Sequence, residues 1–109
     1  MENNKFNNAR AFSFNESISY SDGGIVSMRV LEKIAGNVSL FAFDKGQKLS
    51  EHTAPFDAMI QVTEGEAEIV IGGIINQLTA GQTIIMPANV PHAVNATSRF
   101  KMVLTMIKA

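Results

Sequence analysis

Residues 99–107, RFKMVLTMI, set Phe100, Met102, Leu104 and Met106 against Arg99, Lys101, Val103 and Thr105. Residues 66–71 repeat the pattern, with Ala67, Ile69 and Ile71 alternating with Glu66, Glu68 and Val70. A period of two is the period of a β-strand with one buried face, and it constrains this chain more than any other feature. IVSMRVLEKI, residues 25–34, is rich in β-branched residues and reads as a strand. VSLFAFD, residues 38–44, is apolar on both faces and predicts a strand covered on both sides. Further strands are expected over Ala58–Thr63, Ile74–Leu78, TIIM at 83–86 and His92–Asn95. The breaks are SDGG at 21–24, AGN at 35–37, EGE at 64–66 as a tight hairpin turn, GG at 72–73, TAGQ at 79–82 and PANVP at 87–91. No stretch carries the period of an amphipathic helix. About nine or ten short strands at close spacing predict an all-β sandwich or barrel.

The chain of 109 residues is read as a single domain, with a core over about residues 25–107 and residues 1–20 as an N-terminal arm or edge strand. Nine basic and ten acidic residues are interspersed, so the basic stripe of a nucleic-acid binder is missing. No apolar run reaches the length of a membrane span, and the polar N-terminus lacks a secretory leader, which predicts a cytoplasmic protein. The sequence has no cysteine, which excludes disulfides, thiolate nucleophiles and Cys-ligated metals. Any metal must be held by nitrogen and oxygen.

Only two histidines are present, His52 and His92. Together with Gly46, Gly65, Gly81 and Pro87 they line up with two motifs and resemble the cupin family. GQKLSEHTAPFDAMIQVTEG, residues 46–65, is similar to the family's first motif, G-x5-H-x-H-x3-E-x6-G. Gly46, His52 and Gly65 match, while Ala54 stands at the second His and Ala58 at the Glu. GQTIIMPANVPHAVNA, residues 81–96, is similar to the second, G-x5-P-x-G-x2-H-x3-N. Gly81, Pro87 and His92 match, Asn89 takes the place of the middle Gly, and Ala96 that of the Asn.

The resemblance implies a double-stranded β-helix, or jelly-roll barrel, and a homodimer. It also implies that His52 and His92 are ligands of a divalent metal (Fe, Mn, Ni, Zn or Cu), weakly bound or absent because two of the four ligand positions are alanine. On an unbroken strand Ala58, Ile60 and Val62 point inward, whereas Asp57, Met59 and Gln61 point outward. A bulge near Pro55 would turn Asp57 or Gln61 inward as a third ligand, and Glu51 would need the same shift. Ala54, Ala58, Ile60 and Met102 are expected to line the pocket.

Three functional readings follow. The first is a small-molecule-binding protein with a reduced two-histidine site, where the histidines hold a metal or contact the ligand themselves. The second is a metal-dependent oxygenase or isomerase completed by Asp57, Gln61 or the substrate. The third is a non-catalytic sensor or dimerisation module. Two arbitrary histidines would be read as packing or hydrogen-bonding residues; their coincidence with ligand positions raises the metal reading. The glycines and prolines are structural, and the methionines and phenylalanines fit core packing as well as a cavity lining. The apolar outer faces of 25–34 and 38–44 suggest the dimer contact.

Overall fold

The computed structural model describes residues 6–108 and is built almost wholly of antiparallel strands. In chain order these are β1 (Ile25–Lys33), β2 (Gly36–Phe43), β3 (Lys48–His52), β4 (Asp57–Ile71), β5 (Ile74–Thr79), β6 (Thr83–Met86), β7 (His92–Asn95) and β8 (Phe100–Ile107). A four-residue helix, α1 (Phe14–Ser17), precedes them. The strands run in the order β1-β2-β8-β4-β7-β3, with β5 and β6 also paired to β4.

β4 joins two sheets. Its first half pairs with β8 and β6, and its second half with β5 and β7. The expected hairpin turn at residues 64–66 does not form: the chain continues as one 15-residue strand with an irregularity between Val62 and Glu64. Val62 pairs with Met102 and Glu64 with Lys101, so Thr63 is one residue extra. That is a β-bulge, and it reverses which face each later residue occupies. Ala58, Ile60 and Val62 face the core before it, and Ala67, Ile69 and Ile71 after it. Gly65 makes the bulge feasible. Its φ is +76°, and a Cβ there would lie 2.1 Å from the Arg99 carbonyl oxygen.

The interior is closely filled. Phe43 and Phe100 are fully buried and stacked, with centroids 4.6 Å apart and an interplanar angle of 14°. Ile60, Val62, Ile69, Met86 and Met102 pack around them. β2 is covered on both faces as expected: Phe41 and Phe43 turn to this interior, Leu40 and Ala42 to a second apolar cluster outside it.

That second cluster changes the picture of the N-terminus. Among the described residues, 6–20 form no strand, edge or otherwise. They fold across the outer face and bring Phe6 and Ile18 onto Leu40, Ala42 and Val103, with Phe14, Tyr20, Val26 and Met28 at the margin. Residues 1–5 of the expected arm lie outside the described residues. Much of the apolar outer surface of β1 and β2 is therefore covered by the chain itself. The same segment serves the bulge. Asn15 Nδ2 donates to the Thr63 carbonyl (3.0 Å), and the buried Lys101 Nζ donates to the Asn15 carbonyl (2.7 Å). Tyr20 donates to Glu64 Oε2 at 2.5 Å. Burial, then the Glu64 carboxylate, push the Tyr20 phenol well above its ordinary pKa. From the other side the Val62 and Gly65 backbone is bonded to residues 80–82. The groups that a bulge would leave unpaired thus have partners.

Candidate functional site

His52 ends β3 and His92 begins β7, and the two are directly opposed across the ladder. An unbroken register from the Leu49–Val94 pair would place Glu51 opposite His92. An irregularity between Leu49 and His52 adds one residue to β3 and sets His52 there instead. On its other side His92 pairs with Ile71 of β4. His92 is buried and His52 is exposed.

Each imidazole is oriented by the carbonyl two residues before it. His52 Nδ1 lies 2.8 Å from the Ser50 carbonyl and His92 Nδ1 lies 3.2 Å from the Val90 carbonyl. A carbonyl oxygen only accepts, so these partners favour the Nδ1–H form of each neutral ring. Both Nε2 atoms then present lone pairs. The two Nε2 atoms lie 3.2 Å apart, with the rings nearly edge-to-face at 69°. At that distance the pair is satisfied either by one proton, as an N–H···N hydrogen bond, or by a cation bound to both nitrogens. Burial pushes the His92 pKa below its ordinary value, the Val90 contact opposes this, and nearby His52 lowers it further.

The loop that delivers His92 is clamped by the connection that follows His52. Asn89 has a φ of 65°, the left-handed conformation that the motif's glycine position requires and that Asn tolerates. Its N–H donates to the Ala54 carbonyl at 2.8 Å. The Ala88 N–H donates to Asp57 Oδ1 at 2.8 Å.

The remaining expected residues fall as follows. The β4 register is unbroken from Asp57–Ile107 to Val62–Met102, so the shift that would turn Asp57 and Gln61 inward does not occur there. Both are exposed, and Asp57 is engaged with the Ala88 loop. Glu51 is exposed as well. Among the described residues no group of three or more His, Cys, Asp and Glu could hold a metal ion. Ala58, Ile60 and Met102 belong to the packed interior, and Ala54 is half-buried beside the loop. Sequence reasoning missed the two orienting carbonyls and the Ala54–Asp57 clamp. An Asp after Pro55-Phe56 was an available sign, since Asp often ties down a neighbouring turn through its side chain.

A pair of imidazole nitrogens suits a borderline cation such as Zn, Cu, Ni or Fe. Two imidazoles about 2.0–2.1 Å from one cation stand about 2.9 Å apart at an octahedral right angle and about 3.3 Å apart at the tetrahedral angle. The observed 3.2 Å falls inside that range.

Solved structures share this fold. A conserved protein of unknown function from Streptococcus pyogenes superposes with a TM-score of 0.91 at 32% identity, covering 98% of this chain and 93% of that one. A cupin 2 conserved barrel domain protein from Leptotrichia buccalis gives 0.86 at 37%, covering 89% of this chain and 47% of that one. Salicylate 1,2-dioxygenase from Pseudoaminobacter salicylatoxidans gives 0.73 at 17%, covering 85% and 28%, a likeness of fold alone. No curated protein matches the chain. The family model described as Cupin domain matches residues 39–108, a span that holds both histidines and all strands from β3 to β8. The expected double-stranded β-helix is therefore the fold, and the chain belongs to the cupin family.

Proposed function

We propose that this chain is a small-molecule-binding cupin in which His52 and His92 hold a divalent metal through their Nε2 atoms. The observation that carries this reading is the 3.2 Å separation of two Nε2 atoms whose Nδ1 atoms are both committed to carbonyls. The metal would supply Lewis acidity and open coordination positions. With alanine at 54 and 58, the remaining donors come from water or from the ligand. A site of this kind selects ligands bearing oxygen or nitrogen donors.

The test is metal content by plasma mass spectrometry on untagged protein, beside His52→Ala and His92→Ala, after incubation with Fe, Mn, Ni, Zn and Cu. Near-stoichiometric metal in the wild type, lost in both variants, is the expected result. Wild-type protein that retains no metal from any of the five refutes the reading.

The protein acts as a homodimer in this reading. Leu31, Ile85 and Ile107 are 54%, 65% and 59% exposed. Two apolar grooves, one lined by Met59 and Ile85 and the other by Leu31 and Met106, meet at Thr105 and Ile107. This is the part of the outer face that residues 6–20 leave bare, and a second copy is the natural cover. A cytoplasmic site of action is part of this proposal. Among the described residues no helix is long and apolar enough to cross a membrane.

A further inference from the structure

We propose that Asp57 is a positioning residue of the two-histidine site, holding the loop whose Val90 carbonyl orients His92. The inference rests on the metal-binding reading for its consequence, although its geometry stands without it.

The His92 ring can rotate about two side-chain bonds, and its Nδ1 contact with the Val90 carbonyl selects the orientation that aims Nε2 at His52. The aim of that carbonyl depends on the loop over residues 87–91. From within, the loop is held by the Val90 N–H to Pro87 carbonyl bond, which is long at 3.4 Å. Firmer bonds come from outside. The Asn89 N–H reaches the Ala54 carbonyl and the Pro91 carbonyl accepts from the Gly72 N–H, each at 2.8 Å. The Ala88 N–H reaches Asp57 Oδ1 at 2.8 Å.

Of these contacts, only Asp57 acts through its side chain. A carboxylate accepting an amide N–H is a charge-assisted bond, roughly twice as strong as a neutral one. Asp57 is itself well fixed, as the first residue of β4 paired to Ile107. The segment from His52 to Asp57 thus carries one histidine at its start and the anchor for the other's loop at its end. An exposed carboxylate there contributes nothing to the core, and the Ala88 bond gives it a purpose. Asp57 touches neither imidazole; it acts through Ala88, Asn89 and Val90.

The experiment compares untagged wild type, Asp57→Ala and Asp57→Asn, the last keeping an oxygen acceptor while losing the charge. One readout is Co²⁺ affinity, measured by absorbance titration. The other needs no metal: the side-chain ¹⁵N spectrum of His92, recorded in the metal-free protein above the imidazole titration range, which reports which ring nitrogen carries the proton. The wild type is expected to show the Nδ1–H form. Asp57→Ala is expected to populate both forms and to bind Co²⁺ about 10-fold more weakly, the low end for groups that orient a metal-bound histidine. Asp57→Asn, which makes the weaker neutral bond, is expected to recover part of both properties. Asp57→Ala with the wild-type tautomer and affinity, or Asp57→Asn no better than Asp57→Ala, overturns the assignment. Wild-type protein that binds no Co²⁺ would defeat the metal reading alone, and the tautomer comparison would still decide the role of Asp57.

Discussion

Gly65→Ala isolates the device that lets β4 serve two sheets. Two separable costs meet at this residue. The first is conformational: Gly65 has φ +76°, and a non-glycine residue held in a sparsely populated region costs about 1–3 kcal/mol. The second is steric. The new Cβ would lie 2.1 Å from the Arg99 carbonyl oxygen and 3.0 Å from Phe100 Cα and Cβ. These are backbone atoms and the root of a fully buried ring, so relief requires β8 to move against the Phe43–Phe100 stack. Forcing atoms into such packing costs about 1–3 kcal/mol. The sum for Gly65→Ala is about 2–6 kcal/mol, a large part of the ~5–15 kcal/mol that stabilises an ordinary domain. Two other glycines separate the terms. Gly81→Ala meets the conformational cost alone, because φ is +96° and nothing lies within 4 Å of the added Cβ. Gly36→Ala meets the steric cost alone: its Cβ would sit 2.2 Å from the Met106 carbonyl oxygen without a positive φ. Urea unfolding followed by far-ultraviolet circular dichroism, at one protein concentration, gives the three midpoints. Gly65→Ala should lose roughly the sum of the other two losses. A Gly65→Ala protein no less stable than Gly81→Ala would refute the account of the bulge.

The outer surface and the acid response give two further tests. Asp44 accepts from Arg99 Nε (2.7 Å), the Gly23 N–H (2.6 Å) and the Lys45 N–H (2.9 Å). The Arg99 hydrogen bond, then the Gly23 amide, hold its carboxyl at about 2, below the ordinary 3.8. A depressed carboxyl stabilises the fold above its unfolded pKa, and that contribution disappears as pH falls from about 4 to about 2. Asp44→Asn should therefore be less stable than wild type at neutral pH, and the difference in urea midpoint should shrink through that window; a constant difference would contradict the pairing. If the bare face over Ile85 and Ile107 is the homodimer contact, Ile85→Lys should sediment as a monomer where the wild type sediments as a dimer, with an unchanged circular dichroism spectrum. A wild-type protein that is monomeric at all concentrations sinks that proposal.

The strands were legible because alternation survives in the sequence wherever one face is buried: Phe100, Met102 and Leu104 inward, Lys101 and Val103 outward, as the pattern requires. EGE misled because Glu-Gly-Glu has the composition of a turn, and what keeps Gly65 in a strand is its pairing with Phe100 of β8, a long-range contact invisible to local reading. One clue was present: inward positions are even from Ala58 to Val62 and odd from Ala67 to Ile71, and a single extra residue produces that change of phase without reversing the chain. The N-terminal segment was obscured by its Asn and Ser content, although Phe6, Phe14, Ile18 and Tyr20 supply the apolar contacts that hold it on β2 and β8.

The histidine pair was legible from spacing, but its geometry was not. It depends on the extra residue in β3, which replaces Glu51 by His52 opposite His92, and no residue pattern announces that irregularity. The origin of the geometry also bears on what the alanines mean. Ser50 and Val90 carbonyls orient the rings, and backbone amides and Asp57 fix the loop, so the arrangement draws on no side chain at 54 or 58. In a site whose shape came from its ligand set, two alanines in place of two ligands would let the remaining histidines drift. Here the shape is supplied from behind the rings. The two ring nitrogens therefore keep their places without a polar side chain at 54 or 58.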